Sequence, residues 1–142
     1  MSVTKLKIDG IRAADIPEMV SAYRQMGWPE KPKLYARYLQ FQLDGTRDIL
    51  IARYKSRFAG YLTIKWQSDY PPFKDAGIPE INDFSVVADL RQQRIGSRLM
   101  DEAESRVKRR SQTVGIGVGL TPDYGPAQRL YVRRGYVPDG RA

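Results

Sequence analysis

The most informative segment of the chain reads Val86-Val87-Ala88-Asp89-Leu90-Arg91-Gln92-Gln93-Arg94-Ile95-Gly96-Ser97-Arg98-Leu99. A strand is predicted to end at its two valines, and a helix is predicted to begin at Ile95 or Gly96. A helix start carries unpaired backbone N–H groups and a partial positive charge, so it attracts anions. Phosphate suits such a place, and three arginines surround it: Arg91, Arg94 and Arg98. A solvated basic helix start is the alternative that these residues alone leave open.

Composition limits the chemistry. The 142 residues, of which 42% are hydrophobic, predict one domain over residues 1–142 with a packed core. The net charge of +8 favours an acidic partner, such as nucleic acid, an anionic membrane or a polyphosphate. The sequence contains no cysteine and no histidine, which excludes Ser-His and Cys-His catalysis and zinc sites built on either residue. We therefore expect no metal cofactor. No apolar run reaches the length of a membrane span, so we expect a cytoplasmic protein without a membrane partner.

Hydrophobic periodicity predicts strands and helices in the order β-α-α-β-β-β-α-β-α-β. The predicted strands are Val3–Ile8, Asp48–Arg53, Phe58–Trp66, Glu80–Val87, Thr113–Leu120 and one beginning at Tyr136. The predicted helices are Ala14–Met26, Lys33–Leu43, Ile95–Arg110 and a short one that Pro126 opens and Gly135 ends. Three prolines and a glycine predict a loop at Ser68–Pro79. Because Ala142 follows soon after the last predicted strand begins, we leave open that a final strand is missing.

Two short signatures identify a family. Residues 91–96 fit the pattern Gln/Arg-x-x-Gly-x-Gly/Ala, with Arg94 at the first glycine position. Residues 127–136 fit Ala-x-x-Leu-Tyr-x-x-x-Gly-Phe/Tyr, and Tyr124 stands where the family often has asparagine. With these signatures the chain resembles the GNAT superfamily of N-acetyltransferases. The resemblance implies an α/β (α+β) acyl-CoA N-acyltransferase fold, in which a single-layer mixed, centrally antiparallel β-sheet is flanked by helices.

The resemblance also implies an activity and a cofactor site. The activity is acetyl transfer from acetyl-CoA to a primary amine, by direct attack in a ternary complex. Val86 and Val87 would lie along the pantetheine arm, and Tyr131 would protonate the departing thiolate. The remaining implied cofactor-binding residues are Arg91, Gln92, Gln93, Arg94, Ile95, Gly96, Ser97, Arg98, Tyr124 and Ala127. Arg94 would have to adopt the backbone conformation of a glycine.

The general base is predicted from residue types. Without histidine, a carboxylate acting through water is the expected relay. Glu80 and Asp83 lie on the predicted strand, and their odd separation predicts opposite faces. Glu80 has the longer reach and is the first choice, with Asp83 second. The alternative for each is a charge in solvent at the end of a strand.

Other features leave functional alternatives open. Glycines alternate with apolar residues over Val114–Leu120, which predicts room either for a ligand or for a closely packed helix. Trp28 and the segment Tyr70–Phe73 lie in predicted loops and could border an acceptor pocket, whereas most other aromatic residues are assigned to the core. The acceptor is a small-molecule or peptide amine, and a homodimer is left open. The alternative functions are a CoA-binding module without turnover and a basic nucleic-acid-binding module. Acidic residues among the basic ones argue against nucleic acid.

Overall fold

The computed structural model describes residues 5–116 and 131–137. Its strands are β1 Leu6–Gly10, β2 Arg47–Tyr54, β3 Arg57–Lys65, β4 Glu80–Val86 and β5 Gly115–Ile116. Its helices are α1 Asp15–Gln25, α2 Pro32–Asp44, α3 Pro71–Ala76 and α4 Ile95–Lys108, with a 3₁₀ helix, Ala88–Gln93, leading into α4. Residues 131–133 are also helical. Among the described residues, no helix is long and apolar enough to cross a membrane.

The strands form one five-stranded sheet in the order β1-β2-β3-β4-β5. The first four strands pair antiparallel, and β5 pairs parallel with β4 through Glu80–Gly115 and Ile81–Ile116. This arrangement confirms the predicted mixed, centrally antiparallel sheet flanked by helices. The predicted hairpin between β2 and β3 is also present, and its two turn residues, Lys55 and Ser56, have φ angles of 51° and 68°. Such angles match the twist of two-residue hairpins.

Each face of the sheet carries its own core. On one face α4 packs its predicted apolar stripe against the sheet, where Leu62 and Ile64 of β3 are fully buried. On the other face α1 and α2 enclose a core rich in aromatic rings, which includes Tyr61 of β3. Neighbouring residues of β3 therefore point to opposite cores.

An ion pair joins α1 to the sheet. The carboxylate of Asp15 is 1% exposed, and it accepts hydrogen bonds from the Arg12 amide at 2.7 Å and from the Arg53 guanidinium. Arg53 also contacts Glu18 at 2.9 Å, and Glu18 accepts the Phe58 amide at 2.7 Å. Burial by itself would raise the pKa of Asp15, but the hydrogen bonds from Arg53 and Arg12 bring that pKa below its ordinary value.

The structure corrects the predicted loop at Ser68–Pro79, because α3 lies inside it. Pro71 and Pro72 occupy the first turn of α3, where the missing proline N–H groups have no helical partner to lose. Gly77 then ends the helix with a φ of 68°. Proline here starts a helix, whereas the prediction read it only as a breaker.

Other predicted boundaries changed or fall outside the described residues. The first strand begins at Leu6 and ends at Gly10, two residues beyond the predicted Val3–Ile8 end. Tyr136 and Val137 are described but are not in a strand, which corrects the strand predicted to begin there. Residues 117–120, the start of the Pro126 helix and residues 138–142 lie outside the described residues.

The glycines of Val114–Leu120 were predicted to make room either for a ligand or for a closely packed helix, and the structure shows which holds at Gly115. A Cβ placed on Gly115 would lie 2.2 Å from the Phe73 ring of α3. At this position the missing side chain therefore makes room for a helix. Gly117 and Gly119 lie outside the described residues.

Candidate active site

The start of α4 has the features of an anion site. Arg94 precedes the helix with φ 60° and ψ 22°, so it adopts the left-handed conformation expected of a residue at a glycine position. The Arg98 amide donates to the Arg94 carbonyl at 3.1 Å, which closes the first helical turn. The amides of Ile95, Gly96 and Ser97 lie inside that turn and have no helical acceptor. Within the described part of the chain, no side chain caps this helix start.

The arginines of this segment do not all lie together. The Arg91 Nε donates to the Val86 carbonyl at 3.3 Å, and its guanidinium lies 5.9 Å from the centroid of the Trp28 ring. Arg91 therefore contacts Trp28 in the loop that follows α1, while Arg94 and Arg98 are exposed beside the start of α4. Gln93 is exposed as well, and the side chain of Gln92 is not among those described.

The two valines predicted to lie along the pantetheine arm differ in their backbone contacts. The Val87 amide donates to Ala59 at 2.8 Å, and its carbonyl accepts the Leu90 amide at 2.9 Å. Val87 is also buried. Since both of its backbone groups are occupied, the Val86 carbonyl is the better placed of the two for a pantetheine amide. In this structure the Val86 carbonyl accepts a hydrogen bond from Arg91.

A groove of about 650 Å³ opens beside this segment, between α1 and the 3₁₀ helix. Trp28 lines it, with 36% of the residue exposed, and its ring stacks on that of Tyr23 with centroids 5.7 Å apart and an angle of 10° between the rings. Trp28 therefore borders a cavity, and its place at an acceptor pocket stays a prediction. The Tyr70–Phe73 segment is not among the residues that line this groove, because Phe73 packs against Gly115.

Tyr131, the predicted acid, lies in the core on the α4 face of the sheet. It is 7% exposed, and its ring centroid is 6.1 Å from that of Phe84 in β4. Arg134 ties the same segment to α4 through 2.6 Å contacts with Asp101 and with Glu104. These contacts place the tyrosine against the middle of β4. Tyr124 and Ala127, from the same signature, lie outside the described residues.

The middle of β4 contains a β-bulge. Tyr61 of β3 pairs with Ser85, but Thr63 pairs with Asn82, so two residues of β4 lie opposite one residue of β3. Asp83 is one of these two residues, and its φ angle is 51°. Asp and Asn tolerate this region better than most other side chains.

The bulge overturns the predicted placement of Glu80 and Asp83 on opposite faces. The Asn82 amide donates to the Glu80 carboxylate at 3.2 Å, and the Asp83 carboxylate contacts Tyr38 of α2 and Tyr61. Both carboxylates therefore lie on the face that α1 and α2 cover. The extra residue breaks the strict alternation on which the prediction rested.

The Glu80 carboxylate has both oxygens occupied. The buried Ser68 hydroxyl donates to Oε1 at 2.5 Å, and the Asn82 side chain donates to Oε2. These contacts fix Glu80 near the end of the strand that adjoins α3. In residues 5–116 and 131–137, no three acidic side chains gather closely enough to hold a metal ion.

Asp83 lies among tyrosines. The hydroxyls of Tyr38 and Tyr61 both donate to its Oδ2, the latter at 2.8 Å. Burial raises the pKa of Tyr38, Tyr61 and Tyr35, and the negative charge of Asp83 is the second largest cause in each. The pKa of Tyr35 rises to about 12. At neutral pH these phenols therefore keep their protons and remain hydrogen-bond donors.

Sequence reasoning counted Tyr38 among aromatic residues that are mostly core, gave Tyr61 no role beyond its strand, and predicted neither contact. The available signal was their residue type, because a buried tyrosine hydroxyl usually requires a hydrogen-bond partner. A buried cluster of tyrosines near a predicted strand with one central aspartate could therefore have suggested that pairing.

The chain is similar to known acetyltransferases in sequence pattern and in fold. The family model described as "Acetyltransferase (GNAT) family" matches residues 13–136. An N-acetyltransferase from Staphylococcus aureus Mu50 is similar in structure, with a TM-score of 0.75, 14% identity and coverage of 96% of this chain and 86% of that chain. A ribosomal-protein-alanine N-acetyltransferase from Brucella melitensis biovar Abortus 2308 has a TM-score of 0.69 and 16% identity, and the coverage is 96% of each chain.

A transcriptional regulator from Bacillus halodurans C-125 is also similar, with a TM-score of 0.71, 17% identity and coverage of 96% of each chain. At such low identities these structures establish the fold and nothing finer. No curated protein sequence matches the chain. The family match spans most of the sequence and agrees with the fold, and this chain therefore belongs to the GNAT family of acetyltransferases.

Proposed function

We propose that this protein transfers the acetyl group of acetyl-CoA to a primary amine by direct attack in a ternary complex, without a metal ion. The observation that carries the proposal is the placement of two features at β4. Backbone amides without helical acceptors follow its end at the start of α4. On its bulge, the Asp83 carboxylate belongs to the residue next to Phe84, against which the predicted acid Tyr131 packs. Acetyl-CoA supplies a thioester, whose carbonyl carbon the amine attacks.

The cofactor-binding residues follow from the start of α4. The amides of Ile95, Gly96 and Ser97 would hold the pyrophosphate, because they point along the helix axis and lack helical acceptors. Arg94 and Arg98 would add charge beside it. The Val86 carbonyl would accept a hydrogen bond from the pantetheine arm once Arg91 moves away. Contacts from Gln92, Gln93, Val87, Tyr124 and Ala127 stay predictions from the resemblance.

Tyr131 and Asp83 are the proposed acid and base. Tyr131 packs against Phe84, the residue that follows Asp83, so the two groups lie at the same level of β4. Glu80 is four positions from Phe84, roughly 13 Å along an extended strand. An acid and a base that serve the same reacting carbon must both be close to it. We therefore prefer Asp83 to Glu80, although Glu80 was the first choice from sequence.

Both faces of β4 take part in this arrangement. Asp83 lies on the α1 and α2 face, and Tyr131 lies on the α4 face. Among the described residues, β5 pairs with β4 only at Glu80 and Ile81. The amine would therefore approach from the side of Asp83, and the sulfur would leave toward the side of Tyr131.

The experiment that tests this proposal measures the free thiol of CoA in the presence of a panel of amines. The protein contributes no background, because it contains no cysteine. We expect thiol release that depends on the amine. Acetyl-CoA binding without release from any amine would refute the enzyme and leave a CoA-binding module. Binding of DNA or RNA at physiological salt, without CoA affinity, would favour the nucleic-acid module.

Two variants test the roles. Tyr131→Phe and Asp83→Asn should each lower kcat by roughly 10²-fold or more, since positioned acids and bases contribute that much. The Kd for acetyl-CoA should stay nearly constant in both. Glu80→Gln is the matched control for Asp83→Asn, and a larger loss in Glu80→Gln would reverse our choice of base. A cytoplasmic location, a single domain over residues 1–142 and the open question of a homodimer remain predictions.

A further inference from the structure

The Asp83 carboxylate is held at only one of its two oxygens. Tyr38 reaches it from α2 and Tyr61 reaches it from β3, and both hydroxyls donate to Oδ2. Within residues 5–116 and 131–137, no hydrogen bond to Oδ1 is present. The side chain is half-buried, and its φ of 51° belongs to the left-handed region. Backbone strain of this kind persists where neighbouring contacts enforce it, and it occurs often at functional sites.

We propose that Tyr38 and Tyr61 are positioning residues, which hold the Asp83 carboxylate by Oδ2 and leave Oδ1 for the acceptor amine. The inference rests on the function proposed above. The two hydroxyls come from different elements, so together they restrict rotation of the carboxylate more than one donor could. Each hydroxyl also stabilises the ionised carboxylate, the form that accepts a proton.

The proton transfers balance in this arrangement. As the amine nitrogen bonds to the acetyl carbon, a proton from that nitrogen passes to Oδ1 of Asp83. The bond between carbon and sulfur breaks, and the sulfur takes the proton of Tyr131. Water returns the proton from Asp83 to Tyr131 between turnovers. Tyr38 and Tyr61 keep their protons throughout and touch neither the amine nor the thioester.

Other titratable or charged groups surround the same carboxylate. Tyr23 of α1 donates to the Ser85 hydroxyl at 3.0 Å, and Tyr35 of α2 packs on Tyr61 with ring centroids 5.9 Å apart. The Arg47 guanidinium of β2 lies 5.6 Å from the centroid of the Tyr38 ring. Tyr23 is therefore a matched control, since it belongs to the same cluster and has its hydroxyl bonded elsewhere.

The test measures kcat and the KM for acetyl-CoA by thiol release in the wild type, Tyr38→Phe, Tyr61→Phe and Tyr23→Phe, each with Asp83 intact and with Asp83→Asn. With Asp83 intact, loss of one donor should lower kcat by about 10-fold in either of the first two variants and by more in the double variant, because the carboxylate is no longer held in place. The KM for acetyl-CoA should not change. In the Asp83→Asn background, the same substitutions should change kcat by less than about 2-fold, because the group that they position is already gone. Tyr23→Phe should keep the wild-type kcat, and melting curves should show that every variant is folded.

Distinct outcomes separate this inference from the proposed function. An equal fall in kcat with Asp83 intact and with Asp83→Asn, in both Tyr38→Phe and Tyr61→Phe, would show a merely structural role and overturn the inference. An equal fall in Tyr23→Phe would overturn it as well, because the effect would then belong to the whole cluster. A wild-type protein that releases no thiol with any amine would refute the proposed function itself.

Discussion

Replacing Arg94 with glycine should separate the effect of this residue on stability from its effect on acetyl-CoA binding. Arg94 has a φ of 60°, and a left-handed conformation costs a non-glycine residue roughly 1–2 kcal/mol. Glycine avoids that cost, but it gives the unfolded chain extra freedom, which opposes folding by about 0.4–1 kcal/mol. The difference predicts that Arg94→Gly raises the free energy of unfolding by roughly 0.5–1 kcal/mol. For a chain of this size, Tm would rise by roughly 2–4 °C.

The same substitution should weaken acetyl-CoA binding. Arg94 is exposed beside the free amides of α4, where its guanidinium can contact a phosphate group. A hydrogen bond to a charged group contributes about 1.5–3 kcal/mol when shielded and less in solvent. We therefore expect Kd to rise by about 3- to 10-fold, and by less at high salt. Arg94→Ala is the control, because it removes the guanidinium and keeps the backbone cost.

Thermal melting without ligand and calorimetric titration with acetyl-CoA measure the two effects. The two variants should bind with similar affinity, while only Arg94→Gly should melt above the wild type. An Arg94→Gly variant that melts at or below the wild-type temperature would refute the reasoning about the backbone. Unchanged affinity in both variants would show that Arg94 replaces a family glycine without contacting phosphate.

Three further substitutions test the fold around the site. Asp15→Asn should lower the free energy of unfolding by roughly 2 kcal/mol at neutral pH by weakening the Arg53 ion pair. Because folding lowers the pKa of Asp15, its ionised carboxylate stabilises the folded state at pH values above the ordinary carboxyl range. The difference in unfolding free energy between the wild type and Asp15→Asn, measured by denaturant titration, should therefore be largest there and should shrink as the pH falls. Gly115→Ala should cost about 1–3 kcal/mol in thermal unfolding, since the new methyl would meet the Phe73 ring, and a neutral result would contradict that packing. Arg134→Met should reduce both the urea midpoint and turnover, and retained turnover would show that Tyr131 does not depend on this anchor.

The elements with strong local patterns could be predicted from sequence. Ile95, Leu99, Ala103 and Val107 recur every four residues, and all four are buried against the sheet. Such a stripe is determined by residues close together in the chain, so it requires no knowledge of the partner strands. The start of α4 followed from the same local information, whereas the backbone conformation of Arg94 was implied by the resemblance to the GNAT family.

The site depends on contacts between residues that are far apart in the chain, which local sequence patterns do not indicate. Alternation placed Glu80 and Asp83 on opposite faces, because it assumed a regular strand. The residues that pack on the α4 face are Ile81, Phe84 and Val86, and the three-residue step from Ile81 to Phe84 is the trace of the bulge. The partners of Asp83 come from α2 and β3, at separations of 45 and 22 residues, which no local pattern reveals.

Because of the bulge, Asp83 is one residue more than a regular β4 would need to pair with β3. If Asp83 were deleted, Asn82 and Phe84 would become neighbours, and Phe84 would lie opposite Leu62 in a regular antiparallel ladder. Every remaining side chain of β4 would keep the face that it occupies now. The proposed base therefore displaces no core residue, and the sheet gains a reactive group at the cost of one strained backbone conformation.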